Sequence, residues 1–308
     1  MAVIGALEGR PVSDARVRTT FRAIHEAALL EGDQGGRGPP SGKKGRLSSS
    51  DRVPLRELLT GGRTQNFRRV CLAVVIQCFQ QITGINIITY YATLLFERLQ
   101  ISDEKSRIIA ACNATEYFMA SFVAMALIDK IGRRKLMLFG SVGQTLTMVL
   151  LAVLGSIDRS GARIVSAVLL FVFNSFFAVG WLGMTWLYPA EIVGIRIRGP
   201  ANALSTASNW TFNFLVVMIT GPAFQNIQWR TYIVFAAFNF AIIPSVYFFF
   251  PGEGTSIFSK TAGRSLEDMD VIFAIAHKEG VSPVKVSFRK DLPKAGSPEA
   301  QRILEEVD

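Results

Sequence analysis

Six apolar stretches, each close to the length of a membrane-crossing helix, constrain this chain more than any motif in it. They cover residues 70–96, 108–128, 136–155, 164–188, 201–221 and 231–250. A helix needs about 20 mostly apolar residues to cross the hydrocarbon core of a bilayer. Backbone groups in lipid must be paired within the protein, and stretches about twice the length of a barrel strand do this as helices. Half of the 308 residues are apolar and 23 are Phe. The sequence predicts an all-α membrane protein. A six-helix bundle fills residues 63–250, with a segment at 1–62 before it and a tail at 251–308 after it.

The net charge of +9 does not point to nucleic acid once the basic residues are placed. Arg63, Arg68 and Arg69 precede the first span, and Lys130, Arg133, Arg134 and Lys135 link the second to the third. Arg196 and Arg198 link the fourth to the fifth, and Lys260 and Arg264 follow the sixth. The opposite links hold only Arg98, Lys105, Arg107, Arg159, Arg163 and Arg230. The richer side is expected in the cytoplasm, with both termini.

The start of the chain lacks the basic opening of a secretory signal. Val17, Phe21, Ile24 and Ala28 recur at helical spacing and predict an amphipathic helix over 14–30, with Asp14 as its cap. Residues 31–51 are rich in Gly, Ser, Pro and Lys and read as a disordered linker. A short helix is expected over 53–60 and another, in the tail, over 265–276. Cys71, Cys78 and Cys112 have no metal-ligand spacing and read as small buried apolar residues. His25 and His277 lie outside the spans and are given no role. No cofactor or metal site is expected.

The first span holds more hydrogen-bonding side chains than lipid tolerates. Gln77, Gln80, Gln81 and Gly84 fall on one helical stripe, and Asn86, Tyr90 and Tyr91 follow. Unpaired polar groups in hydrocarbon cost several kcal/mol. These side chains face a cavity, a ligand or a partner helix. On an ideal helix Asn86 lies about 120° from Gln80. Loosening at Gly84 would bring Asn86 and Tyr90 round to the same side. Broken helices build ligand sites in many transporters, while amides also bond helix to helix.

Other spans add fewer signals. Glu116, in the second span beside Asn113, Thr115 and Tyr117, is an intramembrane acid. Proton coupling, pairing with a cation and a hydrogen-bonded glutamate between helices all remain open. In the third span Gly140, Gly143, Gln144 and Gly155 are packing positions. In the fourth span Gly180, Gly183 and Pro189 predict a bendable helix. Trp186 offers a ring that can stack on a sugar face or sit at the membrane interface. The fifth span carries Asn202, Ser205, Thr206, Asn209 and Asn213 as a polar stripe with Trp210 beside it. The sixth, with Asn239 and Pro244, reads as scaffold.

QQITGIN…YY, DKIGRRK, YPAEIVGIRIRG, SNWTFNF and TAGRSLED stand in this order and spacing. Together they resemble the sugar porter family of the major facilitator superfamily, fungal hexose transporters in particular, over its C-terminal half. The resemblance implies a monosaccharide site between two six-helix halves that rock to give alternating access. It implies sugar contacts at Gln80, Gln81, Asn86, Tyr90, Trp186, Asn209, Trp210 and Asn213. Tyr90 and Tyr91 resemble the pair that closes the outer gate. Asp129, Arg133, Arg134, Glu191, Arg198 and Arg264 resemble a cytoplasmic charge network that biases the outward-facing state. Glu116 is retained as a candidate for proton coupling.

Four features depart from the family pattern. Six spans are present, so a complementary N-terminal six-helix half is expected to be missing from the chain. Tyr117 stands where the family often has asparagine, and Ala178 where glucose facilitators have glutamate. The motif after Pro251 is interrupted before TAGRSLED resumes. The expected function is therefore hexose carriage across a bilayer, with the plasma membrane as the family's usual site. The alternatives are a non-transporting sugar receptor and an inactive truncated half-transporter. Nothing in the sequence suggests an enzyme: no nucleophile–base pair, metal cluster or phosphate loop is visible.

Overall fold

The computed structural model describes residues 2–9, 11–14, 17–18, 21, 55–61, 65–251, 266–289, 292–293, 299–300 and 302–303. The chain divides into two units, Met1–Val53 and Pro54–Asp308. In the first, a helix (α1) spans Ala2–Glu8, a stretch with no predicted element. The expected helix at 14–30 and linker at 31–51 lie largely outside the described residues, as does the interruption after Pro251.

The second unit opens with a short 3-10 turn at Leu55–Leu59. The first span is three helices: α2 (Asn66–Ile82), α3 (Ile85–Tyr90) and α4 (Ala92–Arg98). It breaks at Gly84, whose φ of 94° is the left-handed region that glycine enters without a Cβ penalty. A Cβ here would lie 3.0 Å from the Phe235 ring and 3.1 Å from Met148 Cε.

The remaining helices are longer. They are α5 (Asp103–Ile131), α6 (Arg133–Gly155) and α7 (Ser160–Phe177). A π-turn at Ala178–Leu182 leads into α8 (Met184–Ile192). Then come α9 (Ile195–Asn226) and α10 (Arg230–Phe249). In the tail, α11 spans Leu266–Lys278 and α12 spans Pro283–Ser287.

By length and hydropathy four helical segments can cross a membrane: Asp103–Ile128, Arg133–Gly155, Ser160–Ile192 and Arg230–Phe249. The other two expected spans miss for physical reasons. The first is interrupted at Gly84, and α9 carries the polar stripe that lowers its hydropathy.

Two packing groups make up the bundle. α6 packs along α10 and α7, and α2 packs along α9. Small residues set the first group. A Cβ on Gly180 would lie 2.6 Å from Gly140 Cα, and one on Gly143 would lie 2.2 Å from the Phe176 ring. The backbones of α6 and the π-turn thus touch. Trp181, fully buried beside this contact, donates its Nε1–H to Ser141 Oγ at 3.2 Å.

The cysteine expectation needs correcting. Cys71 and Cys78 are only half-buried and Cys112 is exposed. The face of α5 that holds Cys112 looks outward, with Ile108, Phe118, Met119 and Phe122 exposed as well. Cys78 Sγ lies 2.9 Å from Ser208 Oγ, so it serves as a polar contact between α2 and α9.

Candidate functional site

The polar stripes of the first and fifth spans face each other. Asn209 on α9 sits at the centre, buried. Its Nδ2 donates to Gln77 Oε1 at 2.6 Å and to Gln80 Oε1 at 2.8 Å. Its Oδ1 accepts from Gln81 Nε2 at 3.0 Å. Asn86, brought round by the break at Gly84, donates from Nδ2 to Gln81 Oε1. Five amides thus form one buried network, where unpaired groups are expensive.

This network departs from an open cavity lined by free amides. Gln80, Gln81, Asn86 and Asn209 are buried and bonded to one another. The cause is the close packing of α2 on α9. Ser205 Oγ donates to the Ala73 carbonyl at 2.8 Å, and Ser208 Oγ approaches the Val74 carbonyl at 3.5 Å. The stripe is helix-to-helix glue in this conformation.

Helix defects surround the network, and side chains repair each one. Pro189 has no N–H, so the Thr185 carbonyl one turn earlier loses its helical donor. Gln77 Nε2 supplies one at 3.1 Å. At the other defect, Asn239 Nδ2 donates to the Thr83 carbonyl at 2.8 Å. Asn239 is therefore more than scaffold: it caps the broken end of α2.

The aromatic candidates do not join the amides. Tyr90 is 58 % exposed, Trp186 47 % and Trp210 61 %. Asn213 is half-buried and has no hydrogen bond to the network. Tyr91 is anchored, its hydroxyl donating to the Val217 carbonyl on α9 at 3.1 Å. The predicted site is thus split into a closed amide cluster and an open set of aromatic rings.

The charge network is also only partly assembled. Arg133 pairs with Glu191 through Nε at 3.1 Å and Nη2 at 2.8 Å, joining α6 to α8. Arg134 leaves that group. It donates to the Tyr247 carbonyl and lies over the rings of Tyr247 and Phe288, at 5.1 Å and 4.8 Å. Arg198 turns back to the Val193 carbonyl at 3.3 Å. Arg264 lies outside the described residues, as does the side chain of Asp129.

A second pair at the same end escapes sequence reading. Arg69, with its side chain 2 % exposed, pairs with Asp270 of α11 and lies 4.1 Å over the Phe273 ring. Glu116 accepts a hydrogen bond from Ser175 Oγ on α7.

A family model described as "Sugar (and other) transporter" matches residues 42–273. Sugar transporter STL1 of Saccharomyces cerevisiae is 35 % identical over 301 residues, covering 97 % of this chain and 48 % of that protein. The major facilitator superfamily transporter mfsA of Aspergillus fumigatus is 37 % identical over 294 residues, covering 95 % and 49 %. The chain spans about half the length of the curated relatives it matches. A double-tryptophan mutant of the xylose transporter XylE shares the fold with a TM-score of 0.63 at 21 % identity. It covers 85 % of this chain and 52 % of its own. These relatives are named as transporters, not enzymes.

Proposed function

Because the chain belongs to the sugar (and other) transporter family and is a multi-pass membrane protein, we propose that it forms the C-terminal six-helix half of a monosaccharide carrier. The carrier works by alternating access together with a complementary six-helix half. Its expected place is the plasma membrane, with both termini cytoplasmic.

The family match over residues 42–273 is the observation that carries this reading. The amide network supports where the sugar binds. A sugar hydroxyl both donates and accepts. Set between Asn209 and Gln80 or Gln81, it can bond to both sides, so that no buried group is left unpaired. Sugar entry is then an exchange of hydrogen bonds, and the exposed rings of Trp186 and Trp210 offer apolar faces for stacking. Arg133 and Glu191, paired across α6 and α8, contribute to holding the inner end closed.

The test is uptake of labelled hexose by cells lacking their own hexose carriers. The chain is expressed alone and with a complementary N-terminal half from a relative. Uptake should appear with the two halves together. It should fall at least tenfold in Gln81→Ala with unchanged membrane expression, the scale expected for losing more than about 1.4 kcal/mol of binding. Sugar binding without flux would favour the receptor reading, and neither would leave an inactive half.

A further inference from the structure

Three arginines of the bundle reach the tail, and among the described residues one tail acid, Asp270, answers them. Arg69 on α2 pairs with it. The neighbouring Arg68 donates from Nη2 to Ser282 Oγ at 3.4 Å. Arg134 on α6 lies over the ring of Phe288 and donates to the Tyr247 carbonyl. Among the described residues neither Arg68 nor Arg134 pairs with a carboxylate.

Ser282 stands between α11 and α12. These two helices share a core of their own, with Val271, Ile272 and Ile275 packed with Val286. The bond from Arg68 to Ser282 ties this unit to α2. A neutral hydroxyl is a weak partner for a guanidinium, since hydrogen bonds between ionised groups are roughly twice as strong. Glu279, the closest carboxylate in sequence, is already held by Arg289.

The residues from Ser282 onward read Ser-Pro-Val-Lys. A proline holds the residue before it extended, and Ser282 has φ −67° and ψ 134°. Lys285 is exposed. A serine before proline, extended and followed by a basic residue, is the substrate form that proline-directed kinases take. Ser297 also precedes a proline, but Ala300 stands at the place that Lys285 takes after Ser282.

We propose that Ser282 is a phosphorylation site for a proline-directed kinase, and that its phosphoserine pins the tail to the bundle through Arg68. Ser282 Oγ attacks the γ-phosphorus of ATP, the bond to ADP breaks, and the hydroxyl proton passes to the kinase's catalytic carboxylate. The product carries a charge of about −1.5 to −2 at neutral pH and offers strong acceptor oxygens. Such a group meets the Arg68 fork with parallel bonds that a single hydroxyl oxygen cannot make. Ser282 is half-buried, so the kinase meets it when the tail swings away, and the phosphate holds the tail once it returns. The site rests on the cytoplasmic placement of the tail proposed above, where ATP is available.

The test needs neither sugar nor a second half, so its failure is separate from failure of the transport reading. The purified full chain in detergent is incubated with a proline-directed kinase and magnesium ATP, and the modified peptides are mapped by mass spectrometry. Ser282 should be modified. Pro283→Ala should slow the transfer, and Asp270→Asn, which loosens α11, should speed it. Limited proteolysis then reads docking. The phosphorylated chain should lose its tail about tenfold more slowly than the unmodified chain, the scale of one added charge-assisted hydrogen bond. Arg68→Gln should abolish that protection, and phosphatase should reverse it. Phosphatase reversal carries the test if Arg68→Gln does not fold. No transfer to Ser282 even in Asp270→Asn overturns the proposal, as does transfer that leaves proteolysis unchanged or faster.

Discussion

Asn209 and Gln80 meet across the α2–α9 interface with Nδ2 and Oε1 2.8 Å apart. The same nitrogen also serves Gln77. One asparagine therefore holds two glutamines, while its oxygen accepts from a third. Asn209→Ala strands three buried partners at once. We expect a loss of about 2–3 kcal/mol, since each unpaired buried group costs roughly 1–3 and neighbours relax. Denaturant unfolding in mixed micelles measures it. Thr211→Ala, exposed on the same helix, should be near neutral.

The contact of α6 with the π-turn predicts unequal effects at two glycines. A Cβ on Gly180 meets backbone, Gly140 Cα at 2.6 Å and the Leu136 carbonyl at 2.8 Å. The three atoms nearest a Cβ on Gly143 all belong to the Phe176 ring. Both substitutions to Ala overpack the interface, at about 1–3 kcal/mol. Phe176→Ala should rescue Gly143→Ala and leave Gly180→Ala unrescued in a double-mutant cycle.

Arg69 and Asp270 differ in burial, at 2 % and 42 % side-chain exposure. Removing the acid leaves a buried cation whose remaining partners among the described residues are the Ile192 carbonyl and the Phe273 ring. Asp270→Asn should detach α11 and destabilise by about 2 kcal/mol, below the 3–5 of a fully buried pair because Asp270 is partly solvated. Protease sensitivity of the tail reads the detachment. Arg69→Met, which removes the charge as well, should be milder.

The tail also holds a pH-dependent link. Arg289 grips Glu279 with both nitrogens, Nη1 at 2.7 Å. This hydrogen bonding holds the Glu279 carboxyl below its usual range. A depressed folded value stabilises the folded tail above the unfolded glutamate's range. The gain fades as pH falls through the lowered value. The distance between spin labels on α11 and α12 should broaden only in acid, and Glu279→Gln should remove the step.

Periodicity in the sequence exposes the two polar stripes, because a 3.6-residue repeat shows which residues share a face. It cannot show that the stripes face each other, so the saturation of Gln80, Gln81 and Asn209 was invisible. The break at Gly84 was legible as a glycine inside a polar stretch. Its repair by Asn239 was not, since 156 residues separate that side chain from Thr83. Arg69 and Asp270 are 201 residues apart and pair only through folding. Trp186 drew attention by its motif, yet Trp181 is the buried tryptophan. The signal for Trp181 was its place beside Gly180, where two backbones touch.

The hydrogen bond from Asn239 to Thr83 has one further consequence. A severed helix in oil normally needs its two pieces locked, because any tilt uncovers a bare carbonyl. Here that carbonyl already belongs to a neighbour on α10. Whatever tilt the second piece of the first span takes, the bond to Asn239 keeps the Thr83 carbonyl paired.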